Sequence, residues 1–452
     1  MCSTQISVAP CFKSVILTEK HSPKLSTNRS YFLMCFTLAF GILTSNLASA
    51  EESNLSNLSL HDTEQLFRDN SRELLFAKRM VEGSQADTVS AGQRPNPTLS
   101  LNSTNLKLTQ SNGNGGLTDK TLDTIVRVDQ LIERGNKREL RVAAAQDALQ
   151  ASQFDLKDTL RQQKLTLRSV YYDLLLAQEK ERVQENNQAL YQKTLEAAEL
   201  RLKAGDIAST DVSRIRVDAL RAKNDLRQAH ADREKAQANL AYLIGKENDA
   251  RSIVAADAWP SLESATEAVS PQPAAVLDQR PDVMAADARK RAADETRRLA
   301  DSLKTRDIVV GVQYEHYPTD SRNTIGAGIT IPLFTNYQYQ GEIARAEVNY
   351  TAAMEAQDQT RAVAVGEITR AKADLESAVD KLQRFDQQML AEAQKAADAA
   401  EFAYQHGAMG VTDLLDSRRI LRALQLEAAN VRADYAKSLA AWQAAITPEE
   451  SE

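Results

Sequence analysis

The chain has 452 residues, of which 26% are charged and 5% aromatic, with only 16 Gly and 11 Pro. That balance belongs to long helices rich in Ala, Leu, Glu, Lys and Arg. A formal net charge of −7 does not suggest a nucleic-acid footprint, which would be basic and clustered.

The first 50 residues read as an extension and a secretory signal. Arg29 precedes an apolar run over 31–43, and Ala48-Ser49-Ala50 follows as a small-residue cleavage site. The run is shorter than a membrane span, so the mature chain is expected to start near Glu51. Cys2, Cys11 and Cys35 all precede that cut. The mature chain then carries no disulfide and no thiolate metal site. Cys35 follows Met34 and lacks a lipoprotein context, so no lipid anchor is expected. No later stretch reaches 18 apolar residues, which excludes a membrane helix and leaves a β-barrel open.

The predicted elements come in two similar sets. A helix over 61–89 is followed by strands over 98–108 and 122–131, around the loop signal Ser111-Asn112-Gly113-Asn114-Gly115-Gly116. A helix over 137–203 contains no Gly and no Pro, and at 1.5 Å per residue it spans roughly 100 Å. A helix over 211–244 returns. The stretch 255–274, rich in Pro, Ser and Ala, reads as a connector. The second set has a helix over 281–304 with Pro281 in its first turn. Strands over 308–317 and 324–333 flank Pro318-Thr319-Asp320. A helix over 339–405 and a returning helix over 412–445 complete it. The domain reading is 1–50 leader, 51–254 first repeat, 255–275 connector, 276–446 second repeat and 447–452 tail.

One register relates the two sets. Gly205, Thr210, Asp211 and Arg216 recur as Gly407, Thr412, Asp413 and Arg418, an offset of 202 residues. The same offset places Gln130-Leu131-Ile132 on Pro332-Leu333-Phe334 and Ala144 on Ala346. Two distant landmarks in one register indicate duplication.

The strands alternate with period two. Ile308, Val310, Val312 and Tyr314 alternate with Asp307, Gly311, Gln313 and Glu315; Leu122, Val126 and Val128 alternate with Asp123, Arg127 and Asp129; and Ile325, Ala327, Ile329, Ile331 and Leu333 repeat the period. Asn102 to Asn105 weaken the pattern in the first strand. Ordinary hairpins in a soluble sheet and membrane strands both fit. Strands of about 10 residues suffice to cross a bilayer when tilted. Four such strands cannot close a barrel, and open edges are not tolerated in lipid. Membrane strands therefore require several copies, and three copies give twelve strands.

Several short motifs run through these elements: Asn96-Pro97, Gln130-x-Ile132-Glu133-x-Gly135-x-Lys137-Arg138, Leu240-x-x-Leu243-Ile244-Gly245, Arg280-Pro281-Asp282-Val283 and Ile331-Pro332-Leu333-Phe334. With the two Gly-x4-Thr-Asp turns, in this order and spacing, the chain resembles the TolC-like outer-membrane efflux factor family. The Asn-Pro and Gln-x-Ile-Glu elements resemble its cobalt–zinc–cadmium, heavy-metal branch, although Asn136 stands where that branch often has Gly.

The resemblance implies a mainly α fold with a small β part. It implies a homotrimeric, twelve-stranded barrel in outer-membrane lipid, continued by a long periplasmic α-helical barrel. The implied partners are a periplasmic membrane-fusion adaptor and an inner-membrane efflux pump. The helical hairpin tips, turning at Gly205 and Gly407, close the far end. Glycine suits such turns, and Thr or Asp is expected to cap each returning helix. Asp413 and Asp416 match family positions that face the closed pore, where three copies make a carboxylate ring favouring cations. A solvated helix N-terminus explains the same acids. Tyr404, Thr210 and Asp211 match positions that link neighbouring hairpins. Met409 stands where an arginine serves as a gate link, so that ion pair is lost here.

His21, His61, His230, His316 and His406 show no metal-ligand spacing. His406 reads as a helix-end residue, or as a pH or metal sensor beside the tip. No phosphate loop, nucleophile elbow or His-Glu-x-x-His is present. No catalytic residue, cofactor or resident metal is expected. A periplasmic adaptor or a coiled-coil scaffold is the alternative. The adaptor predicts one hairpin followed by β-rich domains, and the scaffold predicts no membrane strands.

Overall fold

The computed structural model describes residues 55–105, 112–114, 122–264, 276–317 and 323–446. The expected leader with the three cysteines, part of the first strand loop, the Pro318 loop, most of the expected connector and the tail lie outside the described residues.

The chain opens with two helices, α1 (Leu60–Asn70) and α2 (Arg72–Ala91), where a single helix was expected. The break is at Ser71. Its N–H bonds Phe67 O at 2.8 Å, ending α1, and its Oγ accepts from Leu74 N at 3.3 Å, starting α2. One residue thus satisfies orphan groups of both helices. At the start of α1, the Ser59 hydroxyl accepts from Asp62 N at 3.1 Å, and the Asp62 carboxylate accepts from Ser59 N. That is a capping box.

Strands β1 (Thr98–Thr104) and β2 (Asp123–Ile132) follow. Then α3 (Lys137–Ala204) runs 68 residues and α4 (Ser209–Leu243) returns. The second set has α5 (Pro281–Ser302), β3 (Ile308–His316) and β4 (Thr324–Thr330). Its long helix is α6 (Gln340–Arg384), continued through one π turn at Phe385–Met389 into α7 (Leu390–Gln405). Helix α8 (Val411–Ile446) closes the fold. β1 stops at Thr104, because Asn105 takes a positive φ of 61°. β4 stops short of Pro332, which has no N–H for a ladder. Two long hairpins with strands before each, and no β-rich region after them among the described residues, do not fit the adaptor alternative.

The four strands make one antiparallel sheet in the order β1-β2-β3-β4. The middle pair joins the two repeats, with Val126 opposite Tyr314 and Val128 opposite Val312. Because opposed residues share a face, the register builds one apolar face across all four strands. It comprises Leu99 and Leu101, Val126 and Val128, Val310, Val312 and Tyr314, then Ile325, Ala327 and Ile329. Leu99, Leu101, Ile325 and Ile329 on it are 69–84% exposed. The opposite face carries Ser100, Asn102, Arg127, Asp129, Gln313 and Glu315. Arg127 binds Asp129 at 2.8 Å and Gln313 Oε1 at 3.1 Å. Gly311 faces this cluster. A Cβ there would collide with the Asp129 carboxylate and lie 2.8 Å from the Arg127 guanidinium.

Three apolar clusters hold the helices. Leu58, Phe67, Leu167, Tyr171, Leu174, Leu240 and Ile244 tie α1, α3 and α4 together. Ile368, Leu375, Val431, Tyr435, Leu439 and Trp442 tie α6 to α8. Tyr191, Ala198, Val212, Ile215, Val411 and Leu415 fill the space between the hairpin ends. The start of the connector is docked rather than loose. Ala255 exchanges two hydrogen bonds with the Gln178 amide at 3.0 and 2.9 Å, and Trp259 donates to Glu179 at 2.6 Å. Among the described residues, no helix is long and apolar enough to cross a membrane.

Candidate functional site

The family-like motifs resolve into the sheet–helix junction, the hairpin tips and a level between them, where Leu240 and Ile244 end α4 and Arg280 starts α5. At the junction, Gln130 donates to Pro95 O at 2.9 Å, and Glu133 pairs with Arg141 at 2.8 Å. Buried Lys137 reaches Asp307 at 2.7 Å and Thr305 O at 2.8 Å, at the entry to β3. Arg138 donates to Gly92 O at 2.7 Å. The motif thus fixes the angle at which α3 leaves the sheet and binds the two repeats together. Arg280 is 2% exposed. Its guanidinium forks to Asp282 at 3.0 and 2.6 Å and reaches Glu367 on α6 at 2.7 Å. Burial pushes the Asp282 carboxyl up, but the Arg280 hydrogen bond and charge outweigh it and hold the carboxyl below its ordinary range.

The tips are copies of each other. Gly205 and Gly407 adopt φ of 84° and 72°, the left-handed region that costs a side chain energy. At the first tip, Gly205 N bonds Leu202 O at 3.0 Å and Asp206 N bonds Arg201 O at 2.9 Å. At the second, Gly407 N bonds Tyr404 O at 3.1 Å and Ala408 N bonds Ala403 O at 2.9 Å. Both are Schellman closures at one offset. The repeated arginines match as well. Arg216 pairs with Glu199 at 2.7 Å, and Arg418 contacts Glu401, each reaching back 17 residues across its own hairpin. Arg418, 5% exposed, also donates to Thr194 Oγ1 at 2.6 Å.

Thr210 and Asp211 do not cap α4 as expected. The cap is Ala208, with no side-chain hydrogen bond, so both residues sit inside the first turn. There Asp211 lies 3.8 Å from Arg214 and complements the helix dipole. Thr412 likewise turns its hydroxyl elsewhere, accepting from Arg214 at 3.3 Å across the two hairpins. Tyr404 packs into the tip cluster beneath the Arg201 guanidinium, 5.5 Å from its ring centre. Asp413 and Asp416 are exposed on the first turns of α8. Asp416 pairs with Arg419 at 2.9 Å, and Arg419 reaches the buried Asp218 of α4 at 2.6 Å. Arg422 bonds Asp225 at 2.9 Å one turn higher. These arginines ladder the two returning helices together, which residue-by-residue reading missed because each pair is about 200 positions apart. The His406 ring lies tilted against Phe402 with ring centres 4.1 Å apart, and its Nδ1 lies 2.8 Å from Phe402 O, a helix-end arrangement.

The profile of the family described as outer membrane efflux protein matches residues 64–246 and 273–446. The pyoverdine export outer membrane protein OpmQ of Pseudomonas aeruginosa is 24% identical over 389 residues, 80% of this chain and 79% of its own. The cobalt-zinc-cadmium resistance protein CzcC of Cupriavidus metallidurans is 25% identical over 292 residues, 64% of this chain and 69% of its own. Among solved structures, the Campylobacter jejuni CmeC outer membrane channel superposes with a TM-score of 0.75 at 16% identity, covering 95% of this chain and 96% of its own.

Proposed function

This chain belongs to the outer membrane efflux protein family and is an outer-membrane duct of a tripartite efflux system; from that premise we propose that three copies join edge to edge into one passive conduit. The observation that carries the reading is the sheet. It has two open edges, β1 and β4, and one mainly apolar face on which Leu99, Leu101, Ile325 and Ile329 are exposed. Pairing β4 of one copy with β1 of the next removes every edge, which lipid requires. Three sheets make a twelve-stranded barrel, an even number in the known range. The polar face with Arg127, Asp129 and Glu315 then lines the lumen. The helical hairpins continue the wall into the periplasm, where a membrane-fusion adaptor and an inner-membrane pump engage the tips.

The duct supplies a path, and the pump supplies energy and selects cargo. Two relatives of similar identity support this division, since one is named for pyoverdine export and the other for cobalt, zinc and cadmium resistance. The likeness to the second supports metal cations as one cargo. No catalytic step is assigned to the chain itself.

At the closed end, Asp413 and Asp416 form the pore ring, while Tyr404, Thr210 and Asp211 hold neighbouring hairpins together around it. Exposure of both acids at the tip of α8 supports this, and three copies concentrate six carboxylates about one axis, which favours cations. Single-channel recording of the Asp413→Ala, Asp416→Ala double variant tests it. The expected result is a marked fall in cation over anion permeability. Unchanged ion selectivity would remove the two acids from the pore.

A further inference from the structure

Helices α3 and α4 bring together three side chains that the duct does not use. Glu181 and Glu185 stand four positions apart on α3 and so share one face. His230 comes from α4. One ligand atom from each of the three lies within 4.8 Å of those of the other two. Glu181 is buried, His230 half-buried and Glu185 exposed, so the cluster opens to solvent on one side. Its place follows from the hairpin. Glu181 is 24 residues before Gly205 and His230 is 25 after it, which puts the cluster roughly 36 Å from the tip.

An ion pair alone does not account for this arrangement. Arg233 Nε lies 2.9 Å from one Glu181 oxygen, and the other oxygen contacts His230 Nδ1. A buried carboxylate needs such partners, and Arg233 with His230 supplies them. Glu185 then adds a second negative charge at i+4, which is unfavourable on a helix unless something neutralises it. The hairpin architecture does not call for the trio. At the 202-residue offset the second hairpin has Gln383, Gln387 and Arg432, a set with neither a carboxylate nor an imidazole.

We infer that Glu181, Glu185 and His230 form a binding site for a divalent transition-metal cation of the zinc class on the flank of the first hairpin. One imidazole nitrogen and two carboxylates are a borderline donor set that suits such ions and not magnesium. The ion sits between His230 Nδ1 and Glu181 in place of their direct contact. The exposed Glu185 side chain swings in to complete ligand distances of about 2.0–2.2 Å, and water fills the fourth position. Arg233 holds Glu181 in orientation, as outer partners of metal ligands do. The inference is independent of the duct reading, because it concerns binding by the isolated protein.

The test uses the full chain, purified in detergent without a histidine tag, with zinc chloride as the probe in isothermal titration. A single saturable site per chain is expected. His230→Gln and, separately, Glu185→Gln each lower its affinity by at least about tenfold, the loss that removing even an outer partner brings. His406→Gln leaves it unchanged. With copper(II) in place of zinc, electron paramagnetic resonance shows coupling to one imidazole nitrogen that His230→Gln abolishes. Glu185 is exposed, so its variant retains the fold, which circular dichroism checks. Zinc affinity equal to wild type in Glu185→Gln and His230→Gln overturns the site, as does displacement of zinc by equimolar magnesium.

Discussion

Arg280 shows how much one side chain of the family motif carries. It is buried at the start of α5 and neutralised by Asp282 and Glu367. Removing one partner of such a cluster strands the others in low dielectric. Arg280→Ala is therefore expected to cost about 3–5 kcal/mol, read as a lowered denaturation midpoint in detergent. The Asp282 carboxyl adds a pH signature. Its folded pKa lies below the ordinary value, so its contribution is present above about pH 3.9 and is lost as pH falls through the folded value. The stability gap between wild type and Asp282→Asn should close in acid; a gap that persists there would place the effect outside this ion pair. The motif Arg-Pro-Asp-Val was visible in the sequence, and Pro281 announced the helix start. The partner Glu367 was not, because it lies 87 residues from Arg280 on another helix. The Glu181, Glu185 and His230 cluster escaped for a related reason. Metal-ligand histidines are legible at short spacing along the chain, whereas here the signal is equal distance from the Gly205 turn.

At the scale of elements, the long helices were legible because Gly and Pro are absent over 137–203, and the tips because their turns repeat at 202 residues. The break at Ser71 was missed although Ser71 precedes Glu73 in a helix-starting pattern, because the apolar spacing runs on through it. The capping of α4 and α8 was also misread. Schellman closure and the short loop start each returning helix early, so Thr210, Asp211, Thr412 and Asp413 are already its second and third residues and lie past the cap. Positive φ at both tips gives a direct prediction. Gly205→Val and Gly407→Val each force an L side chain into the left-handed region, at about 1–2 kcal/mol, measurable as a fall in thermal midpoint. The sheet gives another. Val312 lies on the apolar face and Asn102 on the polar one. Val312→Lys is expected to impair outer-membrane assembly, since lysine in the lipid-facing midplane costs about 2–4 kcal/mol. Asn102→Lys should assemble. Equal yields of the two in outer-membrane fractions would mean that the faces are assigned the wrong way round.

The whole molecule depends on a pairing the sequence does not display. Strands β2 and β3 come from different repeats, with Thr124 opposite His316, and only that pairing turns two hairpins into one sheet with one apolar face. Alternation within each strand was readable, because side-chain period is local. Which strands neighbour each other depends on α3, α4 and α5 folding back, and on Lys137 meeting Asp307. The duplicated plan thus supplies half a wall twice, and the junction motif joins the halves. What remains is closure between copies. The most direct measurement is the mass and location of the native protein: membranes are fractionated, and the detergent-extracted protein is weighed by size exclusion with light scattering. A species of three chains from the outer-membrane fraction is the expected result. A water-soluble periplasmic monomer or dimer would contradict the account, because its exposed apolar sheet face would then have no lipid to meet.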